Sequence, residues 1–469
     1  MSDDLRTALL LFVAVASVYF ATVTGVTSSN DGSHYALTRA IADGRGWEIS
    51  PYLDFTEDQD YATRDGRYFS DRPPGTALIA APLYALGTFL PDPLVDVPSK
   101  HDPGNAQMLY AVMLAPLAMA GAVTLFYGVV RRAFGISRWA ALLGALAFAF
   151  GTIAWKYGSV LYSHALAALV IWGAVALILH MEETGPTPGG ALGLGLLLGC
   201  APLTEYTSGL FTLIGGVYAV LTFRSRVDGW LVPALFVLGG LIPAELLAAY
   251  NTVNFGGPLQ ISRFYADTTL WPENEDLGAT FSTPIPQGLL GLLVYGSENQ
   301  GIFLLSPVTL LALPGLVPLF RRDAKRALLI VGTFAAFLLL FSASTTFNAG
   351  TDDGRYLATG IGLWMVPLAV WLDEQEGRLL PVLATGVLLA LSVRAQLMHI
   401  AYSWNYDLTP QMLAARAADP ANIGLVLRTA FPNVLNLPLL WLVIACGGAV
   451  AWLASRRRDP SVGRDHANA

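Results

Sequence analysis

The sequence predicts an all-α integral membrane protein with about 12 transmembrane helices and a large external first loop. Of its 469 residues, 54% are hydrophobic and only 13% are charged, whereas soluble domains carry about a quarter charged residues. Apolar runs close to the length of a membrane span recur along the whole chain. Residues 28–75, directly after the first run, hold nine acids and five arginines, as expected of a loop in water.

The predicted spans are apolar stretches of about 20 residues, the length that crosses roughly 30 Å of hydrocarbon. They are residues 7–27, 107–130, 138–155, 159–180, 190–204, 207–223, 229–250, 302–320, 326–345, 356–372, 379–398 and 433–455. Segment 75–90 is apolar but short. If it lies along the interface, the later basic clusters all fall on the cytoplasmic side, as the positive-inside rule requires. We therefore expect a protein of the cell membrane whose two termini both lie in the cytoplasm.

This topology gives a single membrane domain over residues 1–455 and a cytoplasmic tail at 456–469. Its long external loops are 28–106, 251–301 and 399–432. Residues 33–43 have the apolar spacing of an interfacial helix. Residues 61–69 are typical of two short strands around an Asp65-Gly66 turn. The short apolar segment 75–90 is expected to lie along the interface or to dip into the membrane and return.

Composition also excludes several kinds of partner. There is no basic stripe with interleaved aromatic residues, so we expect no nucleic acid. Glu57, Asp58 and Asp60 lie close together but lack a chelating loop pattern, which favours a solvated acidic turn. We therefore predict no metal and no other cofactor. The lipid bilayer is the one partner that composition alone implies.

Five short motifs occur along the chain, and their order is recognisable. They are Asn30-Asp31, Gly66-Arg-Tyr-Phe-Ser-Asp-Arg-Pro-Pro-Gly75, Tyr250-Asn251 with Phe255-Gly-Gly-Pro258, Gly301-Ile-Phe-Leu-Leu-Ser-Pro307 and Gly354-Arg-Tyr-Leu357. As an ordered set, over roughly residues 1–375, they resemble the GT-C glycosyltransferases. Within these, they resemble the dolichyl-phosphate-mannose protein mannosyltransferase-like superfamily, which includes the lipid A aminoarabinose transferases.

The resemblance implies the GT-C fold and a reaction class. Such enzymes take a sugar from a polyprenyl-phosphate carrier and transfer it on the external face, usually with inversion. The implied partners are a polyprenyl-phosphate-linked sugar donor and a glycan, lipid or protein acceptor. Two motifs depart from the protein mannosyltransferases: their adjacent acidic pair is Asn30-Asp31 here, and their His-Pro-Pro is Arg72-Pro-Pro. Because their soluble sugar-binding domain is also missing, a protein acceptor is less secure.

The chemistry of this transfer needs a base for the incoming hydroxyl group. Asp31 is the candidate catalytic residue, because it follows the first span where the bilayer meets water. The other interpretation is that Asp31 caps the helix that follows it. The two roles are compatible.

The departing phosphate needs fixed positive charge. Arg72 and Arg355, with Tyr356 beside the latter, are the candidate phosphate ligands, since arginine binds phosphate oxygens bidentately. Lys156 is the third candidate cation. Each has a structural alternative: Arg72 pairs with Asp71 or another loop acid, Arg355 pairs with a neighbouring acid, and Lys156 snorkels to the interface.

Further polar residues are expected to line the substrate pocket, because they sit in the first loop or at predicted span ends. They are His34, Tyr35, Asp71, Tyr157, Tyr162, His164, Glu205, Tyr206 and Tyr265. Glu205 and Tyr206 equally suit a structural joint between two spans. A lone His164 is more often a hydrogen-bonded core residue than a ligand.

Two other classes of protein share this topology. Twelve spans with both termini inside are typical of secondary transporters, but those usually contain paired repeats with interrupted helices. Here one acidic loop follows the first span, without a counterpart after the seventh. A non-catalytic polyprenyl-lipid-binding protein is the remaining alternative.

Overall fold

The computed structural model of the protein describes residues 3–89, 106–226, 229–295, 300–346, 353–402 and 431. Over these residues the chain is helical apart from one antiparallel hairpin, β1 (Tyr61–Arg64) and β2 (Arg67–Ser70). The first nine helices are α1 (Asp3–Thr22), α2 (Ser29–Ala42), α3 (Gly75–Gly87), α4 (Ala106–Val112), α5 (Leu114–Ala133), α6 (Arg138–Gly151), α7 (Ala154–Tyr157), α8 (Ser163–Thr184) and α9 (Pro188–Thr204). The others are α10 (Gly209–Phe223), α11 (Leu231–Phe255), α12 (Leu277–Thr280), α13 (Ile285–Leu293), α14 (Ile302–Leu305), α15 (Ala312–Arg322), α16 (Ala324–Ser342), α17 (Ile361–Glu374) and α18 (Leu379–Tyr402).

Seven helical segments of the described chain are long and apolar enough to cross a membrane. They are Asp3–Thr22, Ala106–Ala133, Ser163–Thr184, Tyr206–Phe223, Leu231–Phe255, Ala324–Ser342 and Leu379–Ala401. Shorter apolar helices occupy the predicted spans 138–155 and 190–204. The predicted span 433–455 and most of loop 399–432 lie outside the described residues. The chain is therefore a multi-pass membrane protein, and the number of about 12 spans stays a prediction.

Several predicted spans are interrupted rather than continuous. The 138–155 stretch breaks between α6 and α7, where Thr152 has φ −132° and ψ 170°. The 302–320 stretch breaks after α14, where Ser306 has φ −137° and ψ 62°, and resumes in a 3₁₀ turn and α15. Pro307 accounts for the break, because it lacks a backbone N–H and disfavours helical geometry in the residue before it. The 356–372 stretch begins with a 3₁₀ turn, Arg355–Thr359, before α17. This turn carries one of the predicted phosphate ligands.

The helices pack around a central aromatic group. The ring of Phe126 on α5 lies 5.7 Å from that of Phe148 on α6 and 5.4 Å from that of Trp172 on α8. At the edge of the bundle, α9 and α11 approach closely through glycine. A Cβ at Gly195 would lie 2.0 Å from the carbonyl oxygen of Phe236, so a larger residue would separate these two helices.

The first loop folds back over one end of the bundle, which we call the loop end. The hairpin turns at Asp65-Gly66, where both residues have positive φ, as the dipeptide predicted. Helix α2 lies against the 3₁₀ segment Ser50–Thr56 so closely that a Cβ at Gly32 would be 1.7 Å from the carbonyl oxygen of Phe55. A bridge between Ala62 and Ala266 joins this loop to the 251–301 loop. The loop end is thus built from two of the three predicted long loops, 28–106 and 251–301.

Candidate functional site

Two adjoining cavities lie at the loop end, with volumes of about 110 and 90 Å³. They share six lining residues, here called the arginine wall: Asn30, Asp71, Arg72, Arg263, Arg355 and Tyr356. The first, the loop cavity, is completed by Ser29, Gln59, Asp60, Trp271, Glu273, Asn274 and Thr346. The second, the helix cavity, is completed by Pro73, Ser163, His164, Glu205, Tyr206 and Thr207. Three arginines from distant parts of the chain therefore meet between two cavities.

Asp31 lies in the first turn of α2, directly after two cavity-lining residues. Its side chain is fully buried, and both oxygens accept hydrogen bonds. Oδ1 accepts from the backbone N–H of Ser28 at 2.8 Å and from Ser28 Oγ at 2.6 Å, and Oδ2 accepts from the N–H of Thr27 at 2.9 Å. Ser28 is the N-cap residue of α2, and Asp31, at the third helical position, completes a capping box with it. Asp31 therefore supports the start of the helix but is not the N-cap residue that the sequence predicted.

The same surroundings set the ionisation of Asp31. Burial raises the pKa of Asp31 to about 6, against the hydrogen bonds from Ser28 and Thr27, which lower it. The carboxyl group is therefore mostly ionised at neutral pH and takes up a proton as the pH falls through about 6. Asp31 itself does not line either cavity, whereas Ser29 and Asn30 do.

Arg72 is held at the wall by two carboxylates. Its Nη2 lies 2.6 Å from Asp60 Oδ1 and its Nε 3.2 Å from Asp71 Oδ1. Ser29 Oγ donates to the other oxygen of Asp60 at 2.5 Å, which ties this ion pair to the start of α2. Burial raises the pKa of Asp71, although the charge of Arg72 opposes that shift. The predicted alternative for Arg72, pairing with a loop acid, is thus observed.

Arg355 differs, because it is only 9% exposed and forms no ion pair or hydrogen bond with any residue of the described chain. Its guanidinium carbon instead lies 5.3 Å from the ring centre of Tyr162 and 5.7 Å from that of Tyr356. Arg263 has no ion pair within the described residues either. Of the two neighbouring acids predicted as alternative partners, Asp353 does not pair with Arg355, and Asp352 lies outside the described residues.

Asp353 is occupied by Lys156. Lys156 Nζ lies 2.8 Å from Asp353 Oδ2, and Tyr157 Oη donates to the same carboxylate at 2.9 Å. All three side chains are almost fully buried. Lys156 does not line either cavity, so its position supports a role in fixing the turn before Arg355 rather than the direct phosphate contact predicted from the sequence.

At the helix cavity, His164 and Glu205 form a second buried pair. His164 Nδ1 lies 3.1 Å from Glu205 Oε2, and Thr359 Oγ1 donates to the same oxygen at 2.7 Å. Glu205 thus joins α9 to the turn that carries Arg355. Glu205 therefore has both of the roles predicted for it, because it links helical segments and also lines the cavity.

The predicted site residues fall into two groups. Those that line a cavity are Asp71, Arg72, His164, Glu205, Tyr206, Arg355 and Tyr356. Those that do not are Asp31, His34, Tyr35, Lys156, Tyr157, Tyr162 and Tyr265.

Members of the second group pack near or behind the cavities. Tyr35 packs edge-on to Phe55, with ring centres 4.9 Å apart. Tyr265 donates to the carbonyl oxygen of Phe255 at 2.9 Å. Neither ring nitrogen of His34 has a hydrogen-bond partner in the described chain. Burial, with the positive charge of Arg72, holds the pKa of His34 well below its usual value.

Sequence reasoning missed the polar residues on the far side of the loop cavity. Asp60 looked like part of a solvated acidic turn, but it is 9% exposed and bound to Arg72. Trp271, Glu273 and Asn274 carried no motif, and nothing in the sequence pairs them with the first loop. No group of three potential metal ligands comes together within the described residues.

Comparison with known proteins supports the fold. No protein-family model and no curated protein sequence matches the chain. Among solved structures, ArnT from Cupriavidus metallidurans bound to undecaprenyl phosphate is similar with a TM-score of 0.53 and 14% identity, over 96% of this chain and 77% of that chain. The apo state of the same protein gives a TM-score of 0.51 and 15% identity, over 94% and 76%.

A further likeness is to the oligosaccharyltransferase AglB from Archaeoglobus fulgidus in complex with an inhibitory peptide and a dolichol-phosphate. It has a TM-score of 0.47 and 12% identity, over 91% of this chain and 55% of that chain. The fold is settled by the ArnT comparisons, which extend over nearly the whole chain. The chain therefore has the fold of ArnT, which is the GT-C fold that the ordered motifs predicted.

Proposed function

We propose that the chain is a glycosyltransferase that moves a monosaccharide from a polyprenyl-phosphate carrier to an acceptor on the external face of the cell membrane. The observation that carries the proposal is Arg355, a buried guanidinium group that forms no ion pair with any acid among the described residues. A buried charge is costly unless it is paired. The missing partner of Arg355 is then an anion supplied by the ligand.

A phosphate matches this anion. Asp60 and Asp71 both pair with Arg72, and no other acid of the described chain forms an ion pair with Arg263 or Arg355. Arginine can bind two phosphate oxygens at once. Undecaprenyl phosphate is bound to ArnT, whose fold this chain shares, and this supports a polyprenyl phosphate as the ligand here.

The proposed reaction is a single displacement. The acceptor oxygen forms a bond to the anomeric carbon of the sugar, and the bond from that carbon to the phosphate oxygen breaks with inversion. The bonding pair leaves with the polyprenyl phosphate, whose charge the arginine wall stabilises. The proton of the acceptor hydroxyl passes to a carboxylate.

Asp31 is the proposed base. It is ionised at neutral pH and adjoins the cavity-lining Asn30. Thr27 and Ser28 cover its oxygens in this structure, so transfer requires either that the acceptor displaces Ser28 Oγ or that the proton moves through that hydroxyl. The proposed base is then part of the capping box that Ser28 and Asp31 form at the start of α2.

The test is turnover of a panel of polyprenyl-phospho-sugars by purified protein, with released polyprenyl phosphate followed by mass spectrometry. Asp31→Asn should lower turnover by about 10²- to 10⁴-fold. Asp43→Asn is the matched control, because Asp43 lies at the other end of α2 and bonds to Tyr52, outside both cavities. It should leave turnover unchanged.

The pH dependence gives a second readout. A base must be ionised, so turnover should fall as the pH drops through about 6, where Asp31 becomes protonated. The residual activity of Asp31→Asn should lack this acid limb. Wild-type turnover by Asp31→Asn would overturn the assignment of the base. Substrate flux in sealed vesicles without bond cleavage would establish a transporter, and binding without release would leave a lipid-binding protein.

A further inference from the structure

The far side of the loop cavity is a short 3₁₀ turn, Pro272–Asn274, which Trp271 precedes. Trp271 Nε1 donates to the carbonyl oxygen of Gln59 at 3.3 Å, next to the cavity residue Asp60. Thr280 Oγ1 donates to the carbonyl oxygen of Glu273 at 2.7 Å. The turn is thus fixed to the first loop on one side and to α12 on the other, and it faces the arginine wall across the cavity.

This turn presents side-chain acceptors that receive no hydrogen bond from any described residue. Glu273 is 8% exposed, and its carboxylate has no ion pair or hydrogen bond with any described residue. Asn274 is 5% exposed, and its Oδ1 is buried without a partner in the described chain. A buried acceptor such as Asn274 Oδ1 costs stability when it has no donor. A ligand that fills the loop cavity should therefore donate hydrogen bonds to this side of it.

Size and shape narrow the ligand further. A volume of about 110 Å³ holds roughly seven to eleven water-sized positions, comparable with the heavy atoms of one monosaccharide. The indole of Trp271 offers a flat apolar face with negative electrostatic character, which suits the polarised C–H groups of a sugar ring. The unpaired Glu273 carboxylate disfavours a ligand that carries its own carboxylate in this place.

We propose that the loop cavity binds the sugar of the donor, as an uncharged monosaccharide whose hydroxyl groups donate to Glu273 and Asn274 beside the ring of Trp271. This inference rests on the proposed function, since it takes the phosphate of the same molecule to lie on the arginine wall. Because the sugar is bonded directly to the phosphate, it must enter one of the two cavities that share this wall. The acceptors of Glu273 and Asn274 and the ring of Trp271 lie in the loop cavity, which selects that cavity for the sugar.

The experiment compares binding of three lipids to the purified protein: polyprenyl phosphate, polyprenyl-phospho-hexose and polyprenyl-phospho-hexuronic acid. Glu273→Gln should weaken binding of the hexose lipid about 10- to 100-fold and leave polyprenyl phosphate unaffected. The same variant should bind the hexuronic lipid better than wild type does, because the repelling charge is gone. A variant that merely folds less well would bind both sugar lipids more weakly, so it would not bind the hexuronic lipid better than wild type does.

Glu275→Gln is the matched control, because Glu275 is an exposed acid two residues further along and outside the cavity. It should bind all three lipids as wild type does. Trp271→Ala should weaken the hexose lipid alone, independently of any charge. If Glu273→Gln binds all three as wild type does, or if it raises only the KM for the acceptor, the donor-sugar assignment is overturned. If wild type binds none of the three lipids, the proposed function itself fails.

Discussion

Half-buried or buried arginines occur at both ends of the helical bundle, and their surroundings differ. At the end opposite the cavities, Arg131 lies 3.1 Å from Asp4, Arg326 lies 3.0 Å from Glu182, and Arg322 lies 2.8 Å from Asp373. Among the three arginines of the wall, Arg72 alone has such partners within the described chain. Arg263 and Arg355 have none within the described residues.

The difference separates structural charge from functional charge. The acids at the opposite end come from other helices, so each ion pair holds two parts of the bundle together. Charge left unmatched at the loop end does not strengthen the fold, since an unpaired buried ion costs stability. It is available instead to a ligand. Replacing an arginine should therefore lower turnover but not stability at the loop end, and lower stability but not turnover at the opposite end.

The largest expected effect is at Arg355. Arg355→Met should lower turnover by about 10²- to 10³-fold because the phosphate loses a charged donor. The melting temperature of the unliganded variant should stay equal to that of wild type or rise, because a buried charge without a partner has been removed. Turnover and thermal unfolding on the same preparation measure both. A variant that melts well below wild type would show that Arg355 has a structural partner after all.

A smaller effect on turnover is expected at Lys156. Lys156→Met removes the lysine cation from the buried carboxylate of Asp353, which keeps only neutral donors such as Tyr157, at a cost of about 3–5 kcal/mol, and loosens the turn before Arg355. We expect a lower melting temperature and weaker binding of polyprenyl phosphate, with turnover at saturating donor reduced less than in Arg355→Met. Equal loss of turnover at saturating donor in the two variants would instead indicate that Lys156 touches the phosphate, as the sequence suggested.

The smallest effect on turnover is expected at the opposite end. Arg326→Ala removes one partner of Glu182, while Lys325 Nζ still lies 2.9 Å from that carboxylate. Stability should fall by about 1–3 kcal/mol, measured by thermal unfolding, and turnover below the melting transition should match wild type. If Arg326→Ala remains folded but loses turnover, the arginines at the opposite end are not purely structural, and the proposed difference between the two ends is wrong.

The secondary structure was largely predictable, because its signals are local. Apolar periodicity located the helices, and Asp65-Gly66 located the hairpin turn. The break in the helix before Pro307 was not predicted. Residues 302–320 have the length and composition of a continuous span, and a single proline interrupts it. The GT-C fold followed from the order of the motifs rather than from any one of them.

The site was only partly predictable. Arg72 and Arg355 stood out because each is a cation beside a predicted apolar segment, and both line the cavities. Asp60 and Glu273 did not stand out, since their place depends on how two long loops meet. Ion-pair partners were equally hidden. Nothing local indicates that Asp353 binds Lys156 and so leaves its neighbour Arg355 unpaired.

The three arginines of the wall also constrain biogenesis. Arg72, Arg263 and Arg355 come from well-separated parts of the chain, so a ribosome makes the first long before the last. The first loop can fold against α2 early, but the anion site is incomplete until the turn at Arg355–Thr359 has been synthesised and Lys156 has captured Asp353. If the proposed function holds, a nascent or truncated chain cannot turn over donor until the last part of the wall has been inserted.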